Sequence, residues 1–212
     1  MRQAKVFLSG ALAGVCIALG GTAFLSLESR LAGALFFTVG LFVICLFQLH
    51  LFTGKVCYVF QRDGRYALEL VFVWLGNLVG TFLAAWLERL TRIGPALADK
   101  AAGLCRVKLA DGPLSIFILA IFCNMMIYIA VEGFNRAPHD LGRYLALFLG
   151  VAVFILCGFE HCVANMYYFS IAGAWSGKAF GYLAVMTLGN AAGGVFFPLT
   201  RQLLKEKTEV GV

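Results

Sequence analysis

Six long apolar runs constrain the fold of this 212-residue chain more than any other feature. They cover residues 6–27, 31–54, 70–87, 112–131, 144–177 and 179–200. Only the fifth run contains a formally charged residue, Glu160. Because a helix needs roughly 20 apolar residues to cross a bilayer, each run is long enough to span a membrane. The sequence therefore predicts an all-α membrane protein with six transmembrane helices, surrounded by lipid.

The composition supports a lipid environment and argues against other classes of protein. Hydrophobic residues make up 61% of the chain and charged residues 13%, against roughly 45–50% and ~25% in soluble domains. No dense basic run indicates a nucleic-acid partner. The seven cysteines have no CxxC or metal-type spacing, which favours small buried hydrophobic side chains. We therefore expect neither nucleic acid nor a metal or other cofactor.

The two halves of the chain have matching features. The segments 31–61 and 144–177 are too long for one crossing, and each is the second apolar segment of its half. The third and sixth runs share the pattern LGNxxG, at residues 75–80 and 188–193. Three spans per half make the copies opposite in topology. We predict a 3+3 inverted repeat with helices two and five broken, as one domain over 1–212 with repeats near 1–100 and 106–212.

Glycine pairs with GxxxG spacing predict close helix packing, either within a protomer or between protomers. They are Gly10 and Gly14, Gly76 and Gly80, and Gly189 and Gly193.

The distribution of Lys and Arg indicates the orientation. With six spans both termini lie on one side, and the segments on that side carry ten of these residues against seven opposite. Because cytoplasmic loops are enriched in Lys and Arg, we expect both termini in the cytoplasm and a bacterial cytoplasmic (inner) membrane location.

A polar motif interrupts the fifth run. Gly158 precedes Glu160 and His161, and Asn165 follows one helical turn later. Ionisable side chains at membrane depth usually face a cavity or a partner, and an interrupted helix is tolerated there only inside protein or beside water. We expect Gly158 to interrupt the helix and His161 to face a pore. For Glu160 we expect a structural role, either orienting the break or pairing across helices; the alternative is that the whole motif only holds the bundle together.

The matching segment of the first half contains Leu51, Phe52 and Thr53. The Thr53 hydroxyl can donate a hydrogen bond to an anion or to His161. Leu51 and Phe52 fit an apolar constriction, with packing against lipid or core as the alternative. Lys108 would draw anions into an outer vestibule, since basic groups are a common device for anion selectivity; the plainer interpretation is a solvated charge.

Five motifs in this order resemble the formate/nitrite transporter family of pentameric anion channels. The resemblance covers nearly the whole chain. The motifs are Leu51-Phe52-Thr53, Gly76-Asn77-Leu78-Val79-Gly80, Cys123-Asn124-Met125-Met126, Gly158-Phe159-Glu160-His161 with Ala164-Asn165-Met166, and Gly189-Asn190 with Gly193-Gly194. Departures from the family pattern include His50, where Asp or Glu is usual, together with Gly54-Lys55 and Tyr167-Tyr168.

The resemblance implies an aquaporin-like protomer, five of which form a homopentamer with one pore each. It places His161 at the pore centre, facing Thr53, and Lys108 in a vestibule. The apolar constriction positions that it implies are Leu51, Phe52, Phe37, Leu41 and Phe154. The polar positions along the path are Asn124, Asn165 and Asn190.

The expected function is passage of small monovalent anions of weak acids, formate first and nitrite or hydrosulfide next. A histidine, with an ordinary pKa of about 6.5, can supply a positive charge beside the anion or give it a proton, so protons are a second expected partner. A neutral-solute channel of aquaporin type is one alternative, although the chain contains no Asn-Pro-Ala motif. The other is a membrane enzyme or haem protein using His50, His161 and Cys162. We expect no enzymatic activity.

Overall fold

The structure is a computed structural model that describes residues 1–209, with side chains described to residue 204. Within this range the chain is helical and contains no strand. The helices are α1 (Arg2–Ser26), α2 (Arg30–Leu46), α3 (Phe52–Lys55), α4 (Gly64–Arg89), α5 (Gly94–Ala110), α6 (Pro113–Arg136), α7 (Asp140–Leu156), α8 (Cys162–Ala172) and α9 (Gly177–Glu209), with a 3₁₀ turn at Val56–Gln61 after α3.

Four helices in the described range are long and apolar enough to cross a membrane, namely α1, α4, α6 and α9 up to Leu204. Large apolar side chains lie on the outer surface of the molecule, as on α1, where Leu8, Leu12 and Leu19 are 60%, 48% and 54% exposed. Such a surface is stable only against another apolar phase. The second and fifth apolar runs are divided between α2 and α3 and between α7 and α8.

Helices α2 and α7 end in the same way. After α2, the Leu49 N–H donates to the carbonyl of Ile44 at 2.9 Å; after α7, the Phe159 N–H donates to that of Phe154 at 2.9 Å. This closure requires a left-handed residue just before the donor. Gln48 (φ +52°) and Gly158 (φ +72°) take that conformation. Gly158 thus ends α7 as its sequence context indicates, whereas the first half uses a glutamine.

Two buried asparagines join the segments that follow α2 and α7 to the long helices. Asn77 Oδ1 accepts from the Phe52 N–H, and its Nδ2 donates to the carbonyls of His50 and Gly10. Asn190 makes the same three bonds, accepting from Cys162 and donating to Glu160 and Ala120. The partners in α1–α3 and α6–α8 correspond at an offset of 110 residues, and the asparagines themselves at 113.

The glycines of the LGNxxG pattern allow backbones to touch. A Cβ on Gly80 would overlap the carbonyl oxygen of Ala11, and one on Gly193 would overlap that of Ile121. Helix α4 therefore packs directly on α1, and α9 on α6, as GxxxG spacing predicts. Between the halves, Trp74 Nε1 donates to Thr187 Oγ1 at 3.1 Å; these positions are also 113 residues apart.

Helix α5 lies in the segment between the third and fourth apolar runs, where hydropathy predicts no span. Its buried residues Leu97, Ala101 and Cys105 recur every fourth position, so that one face packs inward. Lys100, Arg106 and Lys108 interrupt its apolar character, which is why a search for charge-free runs misses it. Its last turn brings Lys108 to the site described next.

Candidate functional site

Thr53, from α3, and His161, at the start of α8, meet in the centre of the molecule. Thr53 Oγ1 lies 3.0 Å from His161 Nε2, and both side chains are buried. The His161 ring stacks on Phe154 with centroids 5.6 Å apart and an interplanar angle of 27°. Phe154 in turn meets the edge of Phe37 at 5.9 Å and 90°. Residues from α2, α3, α7 and the start of α8 thus form one central cluster.

The other ring nitrogen of His161 fixes its tautomer. Nδ1 accepts a hydrogen bond from the Ala164 N–H at 3.0 Å, which caps the N-terminus of α8. A neutral imidazole has one donor nitrogen and one acceptor nitrogen. Because Nδ1 is the acceptor, the proton is on Nε2, and Nε2–H donates to the Thr53 hydroxyl.

Two cavities approach this cluster from opposite sides. The Lys55 cavity, of about 450 Å³, is lined by apolar and neutral residues around Lys55, including Leu41, Cys45, Leu51 and Tyr58. The Lys108 cavity, of about 410 Å³, is lined by residues including Arg30, Phe154, Glu160, His161 and Asn165.

The two cavities share no lining residue. Leu41 and Leu51 face the Lys55 cavity, Phe154 and His161 face the Lys108 cavity, and Thr53 lies between them. We call these five residues the partition. All are at most 3% exposed, so buried side chains separate the two cavities.

Lys108 and Glu160 form an ion pair inside the Lys108 cavity. Lys108 Nζ lies 2.6 Å from Glu160 Oε2, with side-chain exposures of 14% and 5%. Asn165 Nδ2 donates to the same carboxylate oxygen at 2.8 Å and to the His161 carbonyl at 2.9 Å. Glu160 thus joins α5 to the start of α8, while Asn165 Oδ1 has no protein partner in the described structure.

Several predicted site residues lie in the interior of the molecule, away from both cavities. Asn124 Nδ2 donates to the carbonyls of Thr53 and Asn190 at 3.0 and 2.7 Å. Asn124, Asn190, Phe37 and Phe52 are buried and line neither of the two cavities. These residues position the backbone and rings that do line the cavities.

Two polar clusters lie outside the predicted set. The Glu88 carboxylate accepts from the Tyr167 and Thr22 hydroxyls, which ties α4 to α8 and α1. Tyr58 donates to Glu132 at 2.8 Å, near Arg136 and Arg201. Glu88 and Glu132 each lie near the end of a long helix, where an acidic residue ordinarily indicates contact with solvent. Their sequence context therefore gives little sign that they accept hydrogen bonds from tyrosines.

A multi-pass helical bundle with two cavities separated by buried side chains is the architecture of a membrane channel or transporter. The sequence profile of the family described as "Formate/nitrite transporter" matches residues 1–202. The chain belongs to the formate/nitrite transporter family, whose members are channels and transporters rather than enzymes.

Curated relatives agree with this family. The chain is 31% identical over 184 residues to the uncharacterized transporter YrhG of Bacillus subtilis, covering 80% of this chain and 69% of the relative. It is 28% identical to the formate channel FocA of Haemophilus influenzae, covering 76% and 64%. It is 26% identical to the formate channel FocB of Escherichia coli, covering 78% of this chain and 65% of the relative. The chain thus spans slightly less than two thirds of these two formate channels.

Solved structures have the same fold. One, described as "Pentameric formate channel with formate bound", aligns over 96% of this chain and 98% of its own, with a TM-score of 0.80 and 23% identity. Another, described as "FNT family ion channel", aligns over 91% and 86%, with a TM-score of 0.79 and 25% identity.

Proposed function

We propose that this protein is a channel for small monovalent anions of weak acids, with formate as the first candidate and nitrite and hydrosulfide next. The observation that carries the proposal is the Thr53–His161 hydrogen bond in a partition between two cavities that each contain a lysine. The names of the formate channels among its relatives support formate as substrate.

The proposed architecture is a homopentamer of aquaporin-like protomers, each with its own pore. The description of a similar solved structure as a pentameric channel supports this assembly. Within the protomer we propose six spans in a 3+3 inverted repeat, with α2 and α3 forming a broken second span and α7 and α8 a broken fifth. The matching bonds of Asn77 and Asn190 support the repeat.

The proposed orientation puts both termini in the cytoplasm of a bacterial inner membrane. Arg2 pairs with Glu69 near the start of α4, and Arg201 approaches Glu132 beside Tyr58. The start of α1 and the part of α9 around Arg201 therefore lie at the Lys55 end of the bundle, and the excess of Lys and Arg at that end favours the cytoplasmic side. The Lys55 cavity would then open inward and the Lys108 cavity outward.

In the proposed path, Lys108 and Asn165 form the outer vestibule, and Leu41, Leu51 and Phe154 form the constrictions on either side of His161. Phe37 supports Phe154, and Phe52, Asn124 and Asn190 hold the interrupted backbone. A bare anion is penalised heavily in so apolar a passage. Donors at its centre reduce that penalty, and we assign this role to His161 Nε2–H and the Thr53 hydroxyl.

The capping bond of His161 constrains any coupling to protons. A cationic imidazolium carries N–H on both nitrogens, so Nδ1–H would face the Ala164 N–H and the cap would break. We therefore propose that His161 is a neutral donor at rest. It becomes cationic, and able to protonate a passing anion, only when the start of α8 moves.

The test is anion flux in proteoliposomes at about pH 7 and about pH 5, either side of the ordinary histidine pKa of about 6.5. We expect wild-type protein to carry formate ahead of nitrite and hydrosulfide, faster at the lower pH. His161→Phe should abolish the proton-coupled flux. His161→Asn keeps a good N-cap but removes the titratable ring, so its residual flux should not depend on pH.

His139→Asn is the control, because His139 is exposed at the start of α7 and its replacement should leave flux unchanged. Unaltered flux and pH dependence in both His161 variants would refute the role of this residue. A wild-type protein that passes none of the three anions would refute the channel assignment itself.

A further inference from the structure

The equivalence between the two halves breaks down at the charged residues near the partition. At the offset of 110 residues, Glu160 corresponds to His50 and Asn165 to Lys55. The backbone carbonyls of His50 and Glu160 both accept from the equivalent asparagines, Asn77 and Asn190. Glu160, the acidic residue at the Lys108 cavity, therefore has no acidic counterpart at the Lys55 cavity.

On the Lys108 side, the cation near the partition is neutralised. Lys108 pairs with Glu160 at 2.6 Å. The other cation lining that cavity is Arg30, which is exposed at the start of α2 and donates to the Ile155 carbonyl. An unpaired positive charge on this side is therefore at the solvated rim.

On the Lys55 side, the cation near the partition is unpaired. Lys55 lies one helical turn after Leu51, since its N–H donates to the Leu51 carbonyl at 2.9 Å. Its side chain is half-buried, and no ion pair joins it to a carboxylate within the described part of the chain. The Lys55 cavity is lined by no acidic residue.

The acids on neighbouring elements are engaged elsewhere. Glu69 pairs with Arg2 at 2.6 Å. Glu132 pairs with Arg136, lies 3.8 Å from Arg201 and accepts from Tyr58. Lys55 therefore lies beside an apolar wall, with few charges that compete for an anion. In such a site an ammonium group attracts anions far more strongly than it does in bulk water.

We propose that Lys55 is an anion-binding residue in the vestibule on the side of the chain termini, left unneutralised because His50 occupies the position equivalent to Glu160. Its ligand class is the small monovalent anion, so the inference rests on the proposed function and deepens it. The two vestibules then differ in anion affinity, the Lys55 vestibule being the tighter.

Cys45 provides a probe of this charge that is independent of transport. It lines the Lys55 cavity and is partly accessible, whereas Cys157 is exposed and the other five cysteines are buried. In a Cys157→Ser background, the rates at which anionic and cationic methanethiosulfonates modify Cys45 report the local potential. We expect the anionic reagent to be favoured, and Lys55→Gln to lower the ratio of rates about tenfold, the effect of one charge a few ångströms away in a partly hydrated site.

Replacement of His50 tests the reason for the unpaired charge. His50→Glu should lower the ratio as Lys55→Gln does, by restoring a carboxylate at the position equivalent to Glu160. His50→Gln removes the ring without adding charge and should leave the ratio unchanged, as should Lys55→Arg. Lys100→Gln is the matched control, because Lys100 pairs with Glu28 and lines neither cavity.

Formate flux from each side completes the test. Lys55→Gln should raise the half-saturating formate concentration several-fold when formate is supplied on the side of the termini, with little change from the opposite side. If the wild type carries formate but Lys55→Gln alters neither the ratio of Cys45 modification rates nor the half-saturating formate concentration, the inference about Lys55 is wrong and the proposed function stands. Equal effects from both sides would also overturn it. A wild type that carries no formate but keeps the expected thiol ratios defeats the proposed function and leaves the charged vestibule established.

Discussion

At the scale of the residue, Gln48 and Gly158 show what a sequence reveals about a helix end. Both take a left-handed conformation at equivalent positions. Gly158 could be predicted as a break because glycine adopts that conformation without steric cost. Gln48 could not, because glutamine has no preference for it and the segment is held by tertiary bonds, from Asn77 to Phe52 and His50 and from the His50 N–H to Ser9. Likewise, the sequence indicates His161 as a site but not the Ala164 bond that fixes its tautomer.

This difference predicts opposite effects of a reciprocal exchange. Gln48→Gly should stabilise the protein by about 0.5–1 kcal/mol, since the left-handed conformation costs a non-glycine residue slightly more than glycine loses in chain entropy. Gly158→Gln should destabilise it by a similar amount or more. Denaturant unfolding in mild detergent measures both, with Gln61→Gly as the control because Gln61 has no positive φ. A destabilised Gln48→Gly variant would contradict the argument.

At the scale of the element, the repeated LGNxxG pattern predicted the packing of the long helices. GxxxG spacing predicted close approach, and α4 and α9 do meet the backbones of α1 and α6 at Gly80 and Gly193. The amphipathic helix α5 was not predicted, because its charges interrupt the apolar pattern while its inward face is short. The Lys108–Glu160 pair could not be predicted for the same reason, since α5 brings the lysine to it.

Addition of one methyl group to these glycines should disrupt the fold. In Gly80→Ala and Gly193→Ala the Cβ would overlap a backbone carbonyl, which only separation of the helices can relieve. Overpacking of this kind costs about 1–3 kcal/mol or more, and we expect a large loss of monodisperse protein by size-exclusion chromatography. Gly181→Ala, in open space on α9, should be neutral or mildly stabilising. Normal yield and stability of both core variants would show that the helix pairs are looser than described.

At the scale of the whole molecule, the start of α1 and the part of α9 around Arg201 lie at the Lys55 end of the bundle, whereas Cys157 is exposed beside the Lys108 cavity. Apolar runs and charge counts predict that both termini lie on the cytoplasmic side, because six is an even number of spans and the positive-inside rule does not depend on side-chain detail. The number of protomers that assemble cannot be predicted from apolar runs and charge counts.

This topology predicts the result of a labelling experiment in intact bacterial cells. A membrane-impermeant maleimide should react with Cys157 from outside the inner membrane, once the outer membrane has been permeabilised, and Cys157→Ser should abolish labelling. A protease-cleavable tag at the C-terminus should be cut by added protease only after the inner membrane is lysed. Tag cleavage in intact cells would reverse the proposed orientation.

The purified protein should have a native mass five times that of the 23.0 kDa chain.

The bond between Trp74 and Thr187 has a consequence for how the two halves of the chain can combine. In the proposed repeat both residues occupy the same position of their halves, so two identical halves would place two copies of one residue against each other. Two tryptophans would be too bulky for this contact, and two threonines would leave space where the indole packs. In the proposed repeat the two halves are therefore not interchangeable, because a chain built from two copies of either half would lose this bond.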